Sequence, residues 1–252
     1  MDHQTWMPQL DQSLSAVAIS TGPSDKAQLL DNPIWNALKT EQRALALGGE
    51  FARRFSEEIG PLSGLVEQSA AAYDALRGLA GPGGVVAQFL DSPVQVQPGW
   101  ELVRDGLMSQ MIWSGEANPG TALLPGLREL TAAEAPAMLE LAQLTKPGPF
   151  GPRTHELGRF FGIFEAGRLR AMAGQRLHLP GFVEVSAVCT NPEARGRGYA
   201  RALMSAVMAE IVRRNCTPFL HVFAANESAI RVYEGLGFKR RRSLHLAVLK
   251  AV

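Results

Sequence analysis

The sequence predicts an α/β protein with a mixed sheet, built in two parts. Three observations carry that prediction. An alternating run from Val183 to Thr190 leads into a glycine-rich turn, Arg195-Gly196-Arg197-Gly198-Tyr199-Ala200, which opens an amphipathic helix. Strand-like and helix-like segments alternate through the second half, each marked by its own capping or turn residues. Between the halves, Ser114 to Pro125 is rich in Gly and Pro and has no clear period, so it reads as a domain boundary. The expected division is a flexible N-terminal arm over 1–25, an accessory domain over 26–125 and a second domain over 126–252.

In chain order, the first helix start is Asp31-Asn32-Pro33, with Asn32 capping and Pro33 at the first helical position. Trp35, Leu38, Leu45 and Phe51 suggest helical segments from about 33 to 56. A second helix is expected over 63–79, ended by Gly81-Pro82-Gly83-Gly84. Val85 to Leu90, Glu101 to Val103 and Leu107 to Trp113 read as strands. In the second half, Leu127 to Leu130 is a short strand. Thr131 caps a helix over 132–144, with Glu134 three residues on completing a capping box.

Lys146-Pro147-Gly148-Pro149-Phe150-Gly151-Pro152 is a loop. Phe160 to Phe164 and Arg168 to His178 form a hairpin around Glu165-Ala166-Gly167. Leu179-Pro180-Gly181 turns into the next strand. There Val183, Val185, Ala187 and Cys189 take one face and Glu184, Ser186, Val188 and Thr190 the other. Past the glycine-rich turn, Ala200, Leu203, Met204, Val207, Met208 and Ile211 recur at helical spacing. Phe219 to Ala224 is a strand. Asn226 caps a helix over 227–236 that Gly237 stops, and Lys239 to Val248 is the last strand.

Composition removes several function classes. A length of 252 residues can bury a sizeable core as one large domain or two small ones. The net charge of +1 gives no argument for a nucleic-acid or membrane partner. No apolar run reaches the roughly 18 residues of a membrane span, and Met1-Asp2-His3-Gln4 does not begin a signal peptide. The two cysteines, Cys189 and Cys216, sit in apolar surroundings and read as buried thiols in a reducing cytoplasm. The histidines are scattered, without metal-ligand spacing.

A glycine-rich turn between a strand and a helix N-terminus is a device for holding phosphate. The N–H groups of the first helical turn point at the ligand, the helix dipole favours its charge, and glycine lets the backbone approach. The turn has no Gly-Lys-Ser/Thr, which argues against Mg²⁺-nucleoside triphosphate chemistry. It also lacks a full dinucleotide fingerprint. It does match R/Q-x-x-G-x-G/A, read as Arg195, Gly198 and Ala200.

That motif resembles the coenzyme A pyrophosphate loop of the GCN5-related N-acetyltransferase (GNAT) superfamily. The element order from 127 to 250, β-α-(α)-β-β-β-α-β-α-β, is similar to the acetyltransferase fold. The run Glu184-Val185-Ser186-Ala187-Val188-Cys189-Thr190-Asn191-Pro192 resembles the FR47-like branch, which includes glycine-acyltransferase-type enzymes. The first half carries no second such motif. A degenerate GNAT-like half and a helical–strand accessory domain both remain open there.

The resemblance implies roles for particular residues. The pyrophosphate would go to the N–H groups of Arg195, Gly196, Arg197, Gly198, Tyr199, Ala200 and Arg201. Main chain at Val188, Cys189 and Thr190 would pair with the pantetheine arm and polarise the thioester carbonyl. Asn226-x-x-Ala229-x-x-x-Tyr233-x-x-x-Gly237-Phe238 is similar to a second family signature, in which Asn binds coenzyme A and Tyr protonates the departing thiolate. A phenol with pKa near ~10 can do this. Asn226 also reads as a plain N-cap and Tyr233 as a core aromatic.

Two residues are candidates for the base. Glu184 lies eleven residues before Arg195, the spacing of the Glu base of histone-type relatives. His221 lies five before Asn226, where ribosomal-protein acetyltransferases carry Glu; its pKa near ~6.5 suits proton shuttling. A water chain is a third route. Cys189 reads as packing rather than nucleophile. The basic run Lys239 to Arg242 reads as a solvated edge, or as a contact for an acidic acceptor or the adenosine 3′-phosphate.

The expected activity is direct transfer of an acetyl group from acetyl-CoA to a primary amine of a small molecule, amino acid or peptide, without metal. A non-catalytic acyl-CoA-binding module and a transferase for longer acyl groups are the alternatives. The expected partners are the amine acceptor and no nucleic acid or membrane; a homodimer stays open.

Overall fold

A computed structural model describes residues 25–116 and 124–252. The expected arm, up to residue 24, and residues 117–123 of the Gly/Pro-rich stretch lie outside the described residues. The strands are β1 (Leu47–Gly48), β2 (Ala52–Arg54), β3 (Ser63–Leu65), β4 (Val85–Leu90), β5 (Trp100–Trp113), β6 (Leu127–Leu130), β7 (Phe160–Glu165), β8 (Arg168–Leu179), β9 (Phe182–Thr190), β10 (Thr217–Phe223) and β11 (Phe238–Ala251). The helices are α1 (Pro33–Lys39), α2 (Ala70–Ala80), α3 (Ala135–Thr145), α4 (Tyr199–Arg213) and α5 (Glu227–Glu234).

Eight strands form one mixed sheet in the order β4-β11-β5-β10-β9-β8-β7-β6, and β1-β2-β3 form a small second sheet. The boundary at 126 therefore falls between two strands of the same sheet. Strand β5, from the first half, lies between β10 and β11 of the second half. The cores are shared as well. Leu30, Ile34, Leu38 and Phe55 pack with Leu177, Phe182, Phe219, Leu244 and Leu246 in one buried cluster.

The second half follows its sequence signals closely. Thr131 makes the capping box, its N–H donating to Glu134 (2.7 Å) and its hydroxyl accepting from Ala133 N–H (3.3 Å). α4 buries Leu203, Met204, Val207, Met208 and Ile211 against Val183, Val185, Leu220 and Val222. Each such side chain contributes about 1.5–3 kcal/mol. α3 covers the opposite face with Met138, Leu141 and Ala142 against Phe160, Met172 and Cys189.

The first half departs from the expected long helices. α1 stops at Lys39, and Asn32 donates its side-chain N–H to Leu65 O (2.7 Å) instead of capping. Gly48, at φ 110°, then turns the chain into the β1–β2 hairpin, where a Cβ would sit 2.3 Å from Ala52 O. Phe51 is half exposed, so its apparent helical spacing was coincidence. Residues 63–65 are a strand because Gly64 lies on Trp35, with a Cβ position 2.4 Å from Trp35 N. The helix begins only after Ser69, whose hydroxyl accepts from Ala72 N–H. Glu101 to Trp113 is one continuous strand.

Among the described residues, no helix is long and apolar enough to cross a membrane. Among the described residues, no group of three or more His, Cys, Asp or Glu is arranged to hold a metal.

Candidate active site

Asn191 begins the site by accepting the Glu193 N–H (3.0 Å) and starting a short turn over Pro192–Ala194. Gly196 and Gly198 then adopt left-handed φ of 78° and 77°, and neither has an atom within 4 Å of a Cβ position. Glycine is needed there for its conformation, not for space. The first helical hydrogen bond of α4 runs from Ala202 N–H to Gly198 O (3.1 Å). The N–H groups of Tyr199, Ala200 and Arg201 thus remain without intrahelical partners, at the positive end of a 15-residue helix. Glu165 in the β7–β8 turn orients the loop. It accepts from Arg197 (2.8 Å), from Arg170 (3.3 Å) and from the Tyr199 hydroxyl. The Tyr199 bond first, opposed by desolvation and aided by Arg170 and Arg197, holds the Glu165 carboxyl below its usual range. The geometry fits an anionic diphosphate.

Beside the loop, β9 and β10 run parallel and pair only through Phe182–Glu184 and Thr217–Phe219. Beyond that point β10 stays with β5 and β9 stays with β8, so the two strands part. Main chain of β9 from Val185 to Thr190 has no strand partner on the β10 side. A bulge accompanies the split. Met172 pairs with Cys189 and Gly174 with Ser186, and Ala187 takes a φ of 52°.

The bulge corrects the expected alternation. Val188, not Ala187, joins Val183 and Val185 on the α4 face. Ala187 and Cys189 turn to the α3 face. Burial pushes the Cys189 thiol up to about 11, opposed by bonds to Thr145 and Met172, so packing is the role its environment suits.

Val188, Tyr199, Ala229 and Tyr233 border one core cluster on the α4 face, so the structure brings these predicted residues together. Tyr233 lies edge-on to Phe238, with ring centroids 6.3 Å apart, and burial raises its phenol to about 12. Its hydroxyl makes no hydrogen bond among the described residues. Asn226 acts as N-cap of α5, accepting from Ala229 N–H (3.2 Å) and Ser228 hydroxyl (3.0 Å). Arg201 donates to Gly235 O (3.3 Å), tying α4 to the end of α5.

Glu184 and His221 lie elsewhere. Both side chains are fully buried and face each other, His221 Nδ1 2.7 Å from Glu184 Oε1. Arg176 grips the same carboxylate with two bonds, of 2.8 and 2.6 Å. Desolvation pushes the Glu184 carboxyl up, but Arg176 and His221 outweigh it and hold it at about 2. A carboxylate so held is a poor proton acceptor.

Gln110 seals the other side of the imidazole. Its Nε2 donates to Leu30 O (2.8 Å) and lies 3.1 Å from His221 Nε2, while its Oε1 accepts from Arg241 (2.8 Å). With Gln110 donating to Nε2, the Nδ1–H of His221 is directed at Glu184. Both side chains are closed off from solvent among the described residues. The charged group that does reach a cavity is Arg176, beside Ser186, Ala187, Phe150 and Phe160 under the Pro147–Phe150 loop. That cavity is about 10 Å³, room for one water.

A GNAT-family acetyltransferase structure from Novosphingobium aromaticivorans is 36% identical and superposes with a TM-score of 0.82. The match covers 88% of this chain and 98% of that one. The chain belongs to the GNAT family. A family model described as FR47-like protein matches residues 160–246. Two further structures share the fold: a GCN5-related N-acetyltransferase from Kribbella flavida (14% identity, TM-score 0.58, 91% of this chain and 96% of that one), and one from Sphaerobacter thermophilus (14%, 0.53, 89% and 91%). No curated protein sequence matches.

Sequence reasoning about this GNAT protein missed Arg176 and Gln110, and took Arg241 as part of a surface run. Arg176 had a signal: a charge in an apolar strand, which the Pro180-Gly181 hairpin returns to the neighbourhood of Glu184. Gln110 had none. Arg241 turns inward because β11 bulges between Arg240 and Arg242, so Arg241 and Arg242 both reach Asp31 at 2.7 Å. Lys239 and Arg240 pair with Glu116 (2.7 Å) and Glu234 (3.7 Å). The basic run is thus split: Lys239 and Arg240 stay on the solvated surface with their partners, while Arg241 and Arg242 share Asp31.

Proposed function

We propose that this GNAT protein transfers an acetyl group from acetyl-CoA directly to a primary amine. The observation that carries the reading is the parting of β9 from β10 beside a helix N-terminus with unpartnered N–H groups. When bound, acetyl-CoA supplies the acetyl group and a thiolate that leaves. Gly196 to Arg201 would hold the diphosphate, with Asn226 at the neighbouring helix start. Main chain at Val188, Cys189 and Thr190 would align the pantetheine arm and polarise the thioester carbonyl. Tyr233, kept protonated by its burial, would give its phenolic proton to the departing sulfur as the C–S bond breaks, and would recover a proton, through solvent, from the ammonium nitrogen formed by the attack.

With Glu184 and His221 sealed, the amine would lose its proton to solvent before it attacks. The rate should then follow the amine's own ionisation. Swapping the acceptor for one of lower pKa should move the lower inflection of kcat/KM by the same amount. An inflection that stays put would assign the proton to an enzyme group.

The sealing of both base candidates also favours a second reading, a non-catalytic acyl-CoA-binding module. Tyr233→Phe separates the two. Lost turnover with intact coenzyme A affinity supports transfer, whereas coenzyme A binding with no turnover by the unsubstituted protein supports the module. Competition between acetyl-CoA and longer acyl-CoA donors decides the acyl chain.

A further inference from the structure

We propose that Arg176 reads the acceptor, donating to a neutral carbonyl oxygen carried beside the amine, the chemistry of an α-amino amide. This rests on the acetyl-transfer reading above. Arg176 lines the cavity where β9 bulges, and its side chain retains 13% exposure while Glu184 behind it has none. The Nε–Nη2 edge of the guanidinium is used on Glu184, and the Phe89 ring lies 5.5 Å from its centre. Among the described residues, Nη1 has no hydrogen-bond partner.

The group is rigidly backed. Glu184 is held by His221, His221 by Gln110, Gln110 by Arg241, and Arg241 by Asp31. A donor fixed this firmly is costly to build and is organised for an oxygen in the cavity. Charge selects the kind of oxygen. Arg176 is already offset by Glu184 and no other cation is among the described residues lining the cavity, so a carboxylate there would be a second buried anion on the same guanidinium. A carbonyl oxygen takes the donor without that penalty.

The test compares glycinamide, glycylglycinamide, glycine and ethylamine as acceptors with acetyl-CoA, with kcat/KM expressed per free amine. A hydrogen bond from a charged donor predicts both amides roughly tenfold or more above ethylamine, and glycine below glycinamide. Arg176→Lys keeps a cation on Glu184 but removes the guanidinium fork. It should raise the KM for glycinamide and bring the glycinamide-to-ethylamine ratio to about one. The double variant R176M/E184Q removes both charges and should do the same if the lysine variant folds poorly. An unsubstituted protein that prefers glycine or ignores the carbonyl, or a ratio unchanged in a folded variant, overturns the proposal.

Failure of the acetyl-transfer reading looks different: no thiol is released with any amine. In that case saturation-transfer NMR of glycinamide and ethylamine with coenzyme A present decides for Arg176. Contact with glycinamide that is lost in Arg176→Lys supports it, and no contact in the unsubstituted protein overturns it.

Discussion

At the scale of the residue, the site is governed by which groups are buried with partners and which are buried without. Tyr233 has no hydrogen-bond partner among the described residues and is pushed up to about 12. It therefore stays an acid across the working pH range. Tyr233→Phe should lower kcat by roughly 10²-fold or more and leave the acetyl-CoA dissociation constant within twofold, read by steady-state kinetics and calorimetry. Glu184 is the opposite case, a carboxylate whose burial is tolerable only because Arg176 and His221 meet it. Glu184→Gln strands the Arg176 cation and should cost about 3–5 kcal/mol in urea unfolding at pH 7; a loss below ~1 kcal/mol would mean the pair is not buried as described.

The same residue-scale partners set the pH dependence. Burial, with Arg214 adding and Glu184 opposing, lowers His178 from 6.5 to about 4. Glu184 is lowered from 4.5 to about 2. Both folded values lie below the unfolded ones, so the unfolded chain binds more protons as pH falls. Stability should be full above about 6.5, decline first through His178 and then, below about 4.5, through Glu184. Urea midpoints at pH 7, 5 and 3 that fail to fall in that order would contradict the two burials.

At the scale of the element, two backbone devices build the site: the left-handed glycines before α4 and the bulge in β9. Alanine at Gly198 meets no steric obstacle, so its cost is conformational, about 1–2 kcal/mol. Gly198→Ala should lose that much stability and weaken acetyl-CoA binding, measured on the same sample by urea unfolding and calorimetry. The glycine device was legible in the sequence because only glycine serves that φ without penalty. The bulge was not, because alanine carries no mark of a left-handed conformation, and one extra residue reverses which side chains face α4. Capping gave Thr131 and Asn226 correctly, since each side chain finds the N–H that its position predicts. Asn32 failed because Leu65 O, far along the chain, competed for it. Leu45 and Phe51 mimicked a helical period, and Gly48-Gly49 between them decided the matter through backbone geometry.

At the scale of the whole molecule, the two halves are one sheet. β5 pairs with β10 on one side and β11 on the other, and Gln110 on it backs the His221–Glu184 pair. A fragment of residues 126–252 would leave both of those strands with open edges and the Leu177–Leu246 cluster uncovered. It should fail to fold by circular dichroism, while the full chain unfolds in one cooperative transition. This interleaving was invisible in the sequence, where strand pairing across 100 residues leaves no periodic trace. The glycine-rich turn before α4, by contrast, is local, and its backbone conformation was legible in the sequence.

The glycine-rich loop and the parted strands are proposed to carry acetyl transfer to an amine. Incubation with acetyl-CoA and a panel of primary amines, following free thiol and acetylated product together by absorbance and mass spectrometry, tests it most directly. Thiol and acetyl-amine should form in equal amounts, and both should be lost in Tyr233→Phe. Acetyl-CoA binding with neither product from any amine would contradict it.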